Sequence, residues 1–141
     1  MRITCSKTEL RKFTVRAGKR YPNEYIEALF VIRGGRAAYD VLLISVMPHK
    51  GTKHQCGSTD AIWDTRVAEI AKETGLTWLG SIHTHNGNVH EAGPSPGDNS
   101  DAIRIGERFF AIDCINRQPS GRLKHSVKFY FPQGPLKNIL T

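Results

Sequence analysis

The chain has 141 residues and a mass of 15.8 kDa, enough to enclose a sizeable core and too little for two ordinary domains, so a single domain spanning 1–141 is expected. Twenty basic against thirteen acidic residues give a formal net charge of +7, which suits a nucleic acid or an acidic protein surface without choosing between them. No apolar run approaches membrane-spanning length, the polar first ten residues lack a signal-peptide core, and Cys5, Cys56 and Cys114 are odd in number with no CxxC, a pattern that suggests neither a disulfide framework nor a cysteine zinc site and makes a reducing cytoplasm the simplest setting.

In chain order, residues 7–19 read as a basic helix ending at the Tyr21-Pro22 turn signal. Residues 28–33 and 38–47 are rich in Leu, Ile and Val and flank Gly34-Gly35, the pattern of a hairpin. Ser58, Thr59 and Asp60 offer a helix cap, followed by Trp63, Val67, Ile70 and Ala71 at i, i+4, i+7 and i+8, with Gly75 closing the segment. That spacing predicts a helix with Trp63 in ordinary core packing. Residues 76–82 form a mostly apolar, β-prone run that would deliver His83 and His85 to the end of a partly buried strand. Ser95 and Pro96 read as an N-cap and first helical position, with Asp98 third in the opening turn and the helix continuing over 99–107. Strands over 108–116 and 125–131, joined through Pro119-Ser120-Gly121, are expected to end the sheet.

The chemistry concentrates in residues 83–98. Side chains alternate along a strand, so His83 and His85 point to the same face and can share one metal ion. A catalytic zinc takes three protein ligands and keeps a fourth position open, and Asp98 can supply the third donor. A lone His-x-His is ordinarily solvated or held by neighbouring hydrogen bonds. Here the strand before it and the helix start after it favour a metal site. His49, His54 and His90 are other sources of imidazole, and His90, between His85 and Ser95, reads as a surface or gating residue. Asp101 competes with Asp98, but only Asp98 follows a serine by three residues.

His-Thr-His, a loop, then Ser-x-x-Asp resembles the JAMM motif of the JAB/MPN metalloprotease family, which includes deubiquitinating isopeptidases. The family also places a glutamate far upstream. Tyr21-Pro22-Asn23-Glu24 resembles the Pro-x-Glu near the start of bacterial members, about sixty residues before the histidines. The chain departs from the pattern in three places: nine residues rather than seven separate His85 from Ser95, Asn86 stands where a proline commonly follows the second histidine, and Glu27 occupies a common glycine position. Glu27 is the alternative to Glu24 as acid/base.

The resemblance covers about residues 7–131 and implies an α/β fold, a curved mixed sheet packed by helices. It implies Zn2+ held by His83, His85 and Asp98, with Glu24 moving the proton of an activated water and Ser95 aiding the oxyanion. A simple N-cap is the competing role for Ser95. The implied substrate is a ubiquitin-like protein, on its conjugate or as a precursor, in a bacterial or phage setting. A peptidoglycan stem peptide, a sulfur-carrier protein, or a non-catalytic binding scaffold are the alternatives. Arg11, Lys12, Arg16, Lys19, Arg20, Lys50 and Lys53 come without an RNA-binding aromatic signature, so solvated basic faces are expected rather than nucleic-acid binding.

Overall fold

The computed structural model describes residues 2–33, 38–44, 60–87, 93–132, 134–135 and 139–140. The elements in order are β1 (Arg2–Cys5), α1 (Lys7–Arg20), β2 (Ile26–Arg33), β3 (Ala38–Ile44), α2 (Asp60–Thr74), β4 (Thr77–Asn86), α3 (Pro96–Ile105), β5 (Phe109–Arg117), β6 (Leu123–Phe131), β7 (Gly134–Pro135) and β8 (Ile139–Leu140).

Local chemistry explains where the helices begin and end. Ser6 caps α1 by accepting a hydrogen bond from the Glu9 amide at 3.0 Å, while Lys19 and Arg20 lie in the last turn, where the helix dipole favours positive charge. Phe13 and Ala17, four residues apart, form its buried stripe. Gly75 follows α2 with φ 72°, a left-handed conformation that glycine adopts without Cβ strain. α3 begins with a full capping box between Ser95 and Asp98 and Pro96 just inside, and it ends at Gly106, also left-handed at φ 79°.

Among the described residues the eight strands form one mixed sheet in the order β7-β6-β5-β4-β2-β3-β1-β8. β4 lies near its centre, antiparallel to β2 and parallel to β5. Parallel neighbours need a crossover, and α3 is that connection. β2 and β3 pair antiparallel as expected of a hairpin.

The helices divide between the two faces. α1 covers one face, where Phe13 and Ala17 pack with Leu29, Ile82, Ala111 and Phe129. On the other, Ile70 of α2 packs with Ala28 and Phe30, and Ala102 of α3 with Phe110, Ile112 and Tyr130. Ile82 and His83 are successive residues of β4, so the histidines belong to the α2/α3 face.

Several expectations need correction. The sheet does not end at residue 131: β7 and β8 follow, and β1 precedes α1. These strands are short and sit at or near the sheet edges, so they carry too little hydrophobic pattern to be read. The helix expected over 99–107 stops at Ile105, because Gly106 turns the chain and leaves Glu107 outside it. The Gly34-Gly35 turn, residues 45–47, Ser58 and Thr59 lie outside the described residues, as does the side chain of Trp63. No described helix is long and apolar enough to cross a membrane.

Candidate metal centre

β4 carries the first two donors. Ser81, His83 and His85 alternate onto the α2/α3 face, and the capping box that starts α3 brings Asp98 above them. The two Nε2 atoms are 3.2 Å apart. Each also lies 3.2 Å from one carboxylate oxygen of Asp98, Oδ1 for His83 and Oδ2 for His85. Donors around a tetrahedral ion at zinc-ligand distances of about 2.0–2.1 Å lie about 3.3 Å from one another. The shortest separation between each pair of residues is close to that value, the two histidines meeting different oxygens of the one carboxylate. One ligand atom from each residue lies within 4.8 Å of the others, and this set of nitrogen and oxygen donors suits such an ion. It is the one cluster of three or more potential metal-ligating side chains among the described residues.

The electrostatics agree with a carboxylate that stays ionised. Burial pushes the Asp98 carboxyl up, but hydrogen bonds from His83 and His85 outweigh it and hold the group well below the usual carboxylate range. The Ser95 amide donates to Asp98 Oδ2 at 2.7 Å, and Ser95 Oγ accepts from the Asp98 amide at 3.1 Å. These reciprocal bonds orient the aspartate.

The two glutamates fall on opposite faces. Ile26 pairs with His83 and Glu27 with Ile82. The Tyr25 amide donates to Thr84 Oγ1 and the Thr84 amide to the Tyr25 carbonyl, both at 2.9 Å, which carries this register one step beyond β2. One further step sets Glu24 opposite His85, and directly opposed residues share a face. Glu24 is buried there. Glu27 points under α1, fully buried, where Arg16 grips it with Nε at 2.7 Å and Nη2 at 2.8 Å. A planar fork meeting a carboxylate in this way is a structural ion pair.

The remaining positions are distributed as follows. Ser95 is exposed at the N-cap. Asp101 is exposed, pairs with Arg104 at 3.7 Å and is not among the clustered donors. His49, His54, Cys56 and His90 lie outside the described residues. Cys5 is buried in the core, its thiol pushed up to about 12 by burial and then by the nearby Glu9. Cys114 pairs in register with His85 but is not among the clustered donors.

Asn86 was visible in the sequence only as a missing proline. It is buried, its Nδ2 donates to the Pro22 carbonyl at 3.3 Å, and its Oδ1 accepts from the Tyr21 hydroxyl at 3.4 Å. It thereby ties the end of β4 to the turn that precedes Glu24.

Comparison with solved structures places this architecture. The solution structure of protein DSY2949 from Desulfitobacterium hafniense is similar over 99% of this chain and 92% of that one, with a TM-score of 0.68 and 20% identity. AF2198, a JAB1/MPN domain protein from Archaeoglobus fulgidus, matches over 99% and 98%, with a TM-score of 0.57 and 20% identity. The chain has the JAB/MPN fold. A further match, over 100% and 99% with a TM-score of 0.55 and 17% identity, is a structure described as "JAMM: A Metalloprotease-like Zinc Site in the Proteasome and Signalosome". No protein-family model matches the sequence, and no curated protein does. The JAB/MPN fold here carries a His-His-Asp cluster compatible with a metal ion.

Proposed function

We propose that the protein is a zinc-dependent isopeptidase that releases a ubiquitin-like protein from its conjugate or precursor, at the carboxyl group of a terminal glycine, in the cytoplasm. The observation that carries the reading is the convergence of His83 Nε2, His85 Nε2 and Asp98, with 3.2 Å separations, on a JAB/MPN fold. The substrate class comes from the resemblance of His-Thr-His and Ser-x-x-Asp to the JAMM pattern.

When bound by His83, His85 and Asp98, zinc supplies Lewis acidity, which acidifies water and polarises a carbonyl. The chain's own groups do the rest. Glu24, sharing a face with His85, takes the proton of the attacking water and returns it to the departing amine. Glu27 is committed to Arg16 and unsuited to that role. Ser95 serves twice: its Oγ accepts from the Asp98 amide as a cap, and its hydroxyl proton remains available to an oxyanion. No nucleophilic serine or cysteine is needed, because water attacks directly.

The test is metal content by elemental analysis, wild type beside the H83A/H85A double variant, followed by hydrolysis of ubiquitin-like fusions. We expect about one zinc per wild-type chain and none in the variant. E24Q should then lose roughly 10²- to 10⁴-fold in hydrolysis. Folded wild type without zinc would leave a JAB/MPN binding scaffold. Full activity in E24Q with loss in E27Q would transfer the proton-carrying role to Glu27.

A further inference from the structure

Glu107 is a buried acid that hydrolysis leaves unused. It lies two residues past the end of α3. Gly106 turns the chain in the left-handed conformation, and the Glu107 amide donates to the Ala102 carbonyl at 2.9 Å. That turn sends the carboxylate back to β4, where Oε2 accepts from Ser81 Oγ at 2.6 Å. Both residues are buried, at 9% and 4% exposure. Ser81 precedes His83 by two residues and shares its face.

The surrounding backbone makes room for this contact. The pairing of β2 with β4 slips between Leu29 and Phe30, beside Gly80. A Cβ at Gly80 would lie 1.8 Å from the Phe109 carbonyl oxygen and 3.3 Å from Glu107 Oε2, so only glycine allows the 107–109 segment to lie this close. The Arg108 amide closes the junction by donating to the Leu79 carbonyl at 2.8 Å. α3 is thus fastened to β4 at both ends: Asp98 in its first turn meets His83 and His85, and Glu107 beyond its last turn meets Ser81.

We propose that Glu107 is a positioning residue for the metal centre: by fixing the far end of α3 to Ser81, it sets how Asp98 meets His83 and His85 and hence how tightly a divalent metal is held. This rests on the metal-centre reading above. Between its two ends α3 buries only Ala102, a small apolar contact that by itself leaves some freedom of position along the helix axis. A short, buried hydrogen bond is directional and removes that freedom. The carboxyl holds its place against an electrostatic penalty. Burial pushes it up to about 7, hydrogen bonding from Ser81 opposes that rise, and Asp101 and Asp98 on α3 add to it. An apolar side chain would cover the same surface without the penalty, but it could not set the register of the helix.

The experiment compares zinc dissociation constants, by competition with a chromophoric chelator, for wild type, E107Q, E107A, S81A and D98A, with the absorption spectrum of each cobalt-substituted protein. E107A and S81A should bind zinc about 10- to 100-fold more weakly than wild type, the range for groups that orient metal ligands. Their cobalt spectra should move toward that of D98A. E107Q should stay near wild type, because its amide oxygen can accept the same bond from Ser81 Oγ. If E107A fails to fold, S81A, which removes one hydroxyl, carries the test. Wild-type affinity and spectra in the folded variants overturn the proposal and leave Glu107 a purely structural acid. Equal losses in E107Q and E107A also overturn it, since charge rather than geometry would then set the affinity. Folded wild type that binds no zinc overturns the metal-centre reading itself, and the proposal with it.

Discussion

On the α1 face, buried acids meet partners supplied by the chain: Glu27 the Arg16 guanidinium, and Asp113 Oδ2 the His125 ring at Nδ1, 2.6 Å away. Under α2 and α3, the same sheet instead gathers electron-pair donors. Two imidazole nitrogens face one carboxylate, and Glu24 lies in register with His85. The Glu27–Arg16 pair satisfies both carboxylate oxygens within the protein; the donors on the other face are suited to a cation. Sequence distance does not separate the two, since Glu24 and Glu27 are only three residues apart. Strand parity does, by sending them to opposite faces.

The comparison breaks most readily at Arg16. R16A strands the Glu27 carboxylate, which has no solvent exposure, and should destabilise the fold by about 3 kcal/mol. The partial exposure of Arg16 itself places the effect at the low end of what losing a buried partner costs. Urea unfolding measures it, and metal content should be unchanged. A folded R16A that loses its metal would show that the two faces are coupled.

The α2/α3 face can be probed by pH. The Glu107 carboxyl is raised from 4.5 to about 7 on folding, so the folded chain holds this proton more tightly than the unfolded one. Its contribution to stability is complete below pH 4.5 and is lost as pH rises through 7. E107Q removes the titration. It should match wild type at pH 4 and exceed it by roughly 2–3 kcal/mol at pH 8, read from urea midpoints at both values. Equal differences at the two pH values would mean that Glu107 does not titrate in this range.

The smallest effect is expected at Ser95. S95A deletes the hydroxyl cap on the Asp98 amide and should cost about 1 kcal/mol in thermal unfolding. Zinc should remain bound, because the bond that orients Asp98 Oδ2 comes from the Ser95 backbone. Loss of zinc in S95A would give the hydroxyl a larger part in holding the aspartate.

Much of the centre was legible because its parts are local. His-Thr-His shares a face by the two-residue period of a strand, and Ser95-Pro96 with Asp98 spells a helix start; both patterns lie within one short stretch. Glu24 was readable only by resemblance, since its place opposite His85 depends on a register between strands about sixty residues apart. Glu107 read as the end of a helix because its burial depends on the left-handed turn at Gly106 and the irregular pairing beside Gly80. Neither is a property of its neighbours in sequence. β1, β7 and β8 escaped notice for the converse reason: two to four residues at or near a sheet edge leave almost no pattern.

Both anchors of the segment between His85 and Ser95 are secured from outside it, by strand pairing on one side and the capping box on the other. The nine residues between them exceed the seven of the pattern they resemble. The extra loop-closure entropy for that change is only about 0.2 kcal/mol, since it grows with the logarithm of length. Insertions here are therefore nearly free to the fold. Chain length between His85 and Ser95 can change under selection while the three donors stay in place.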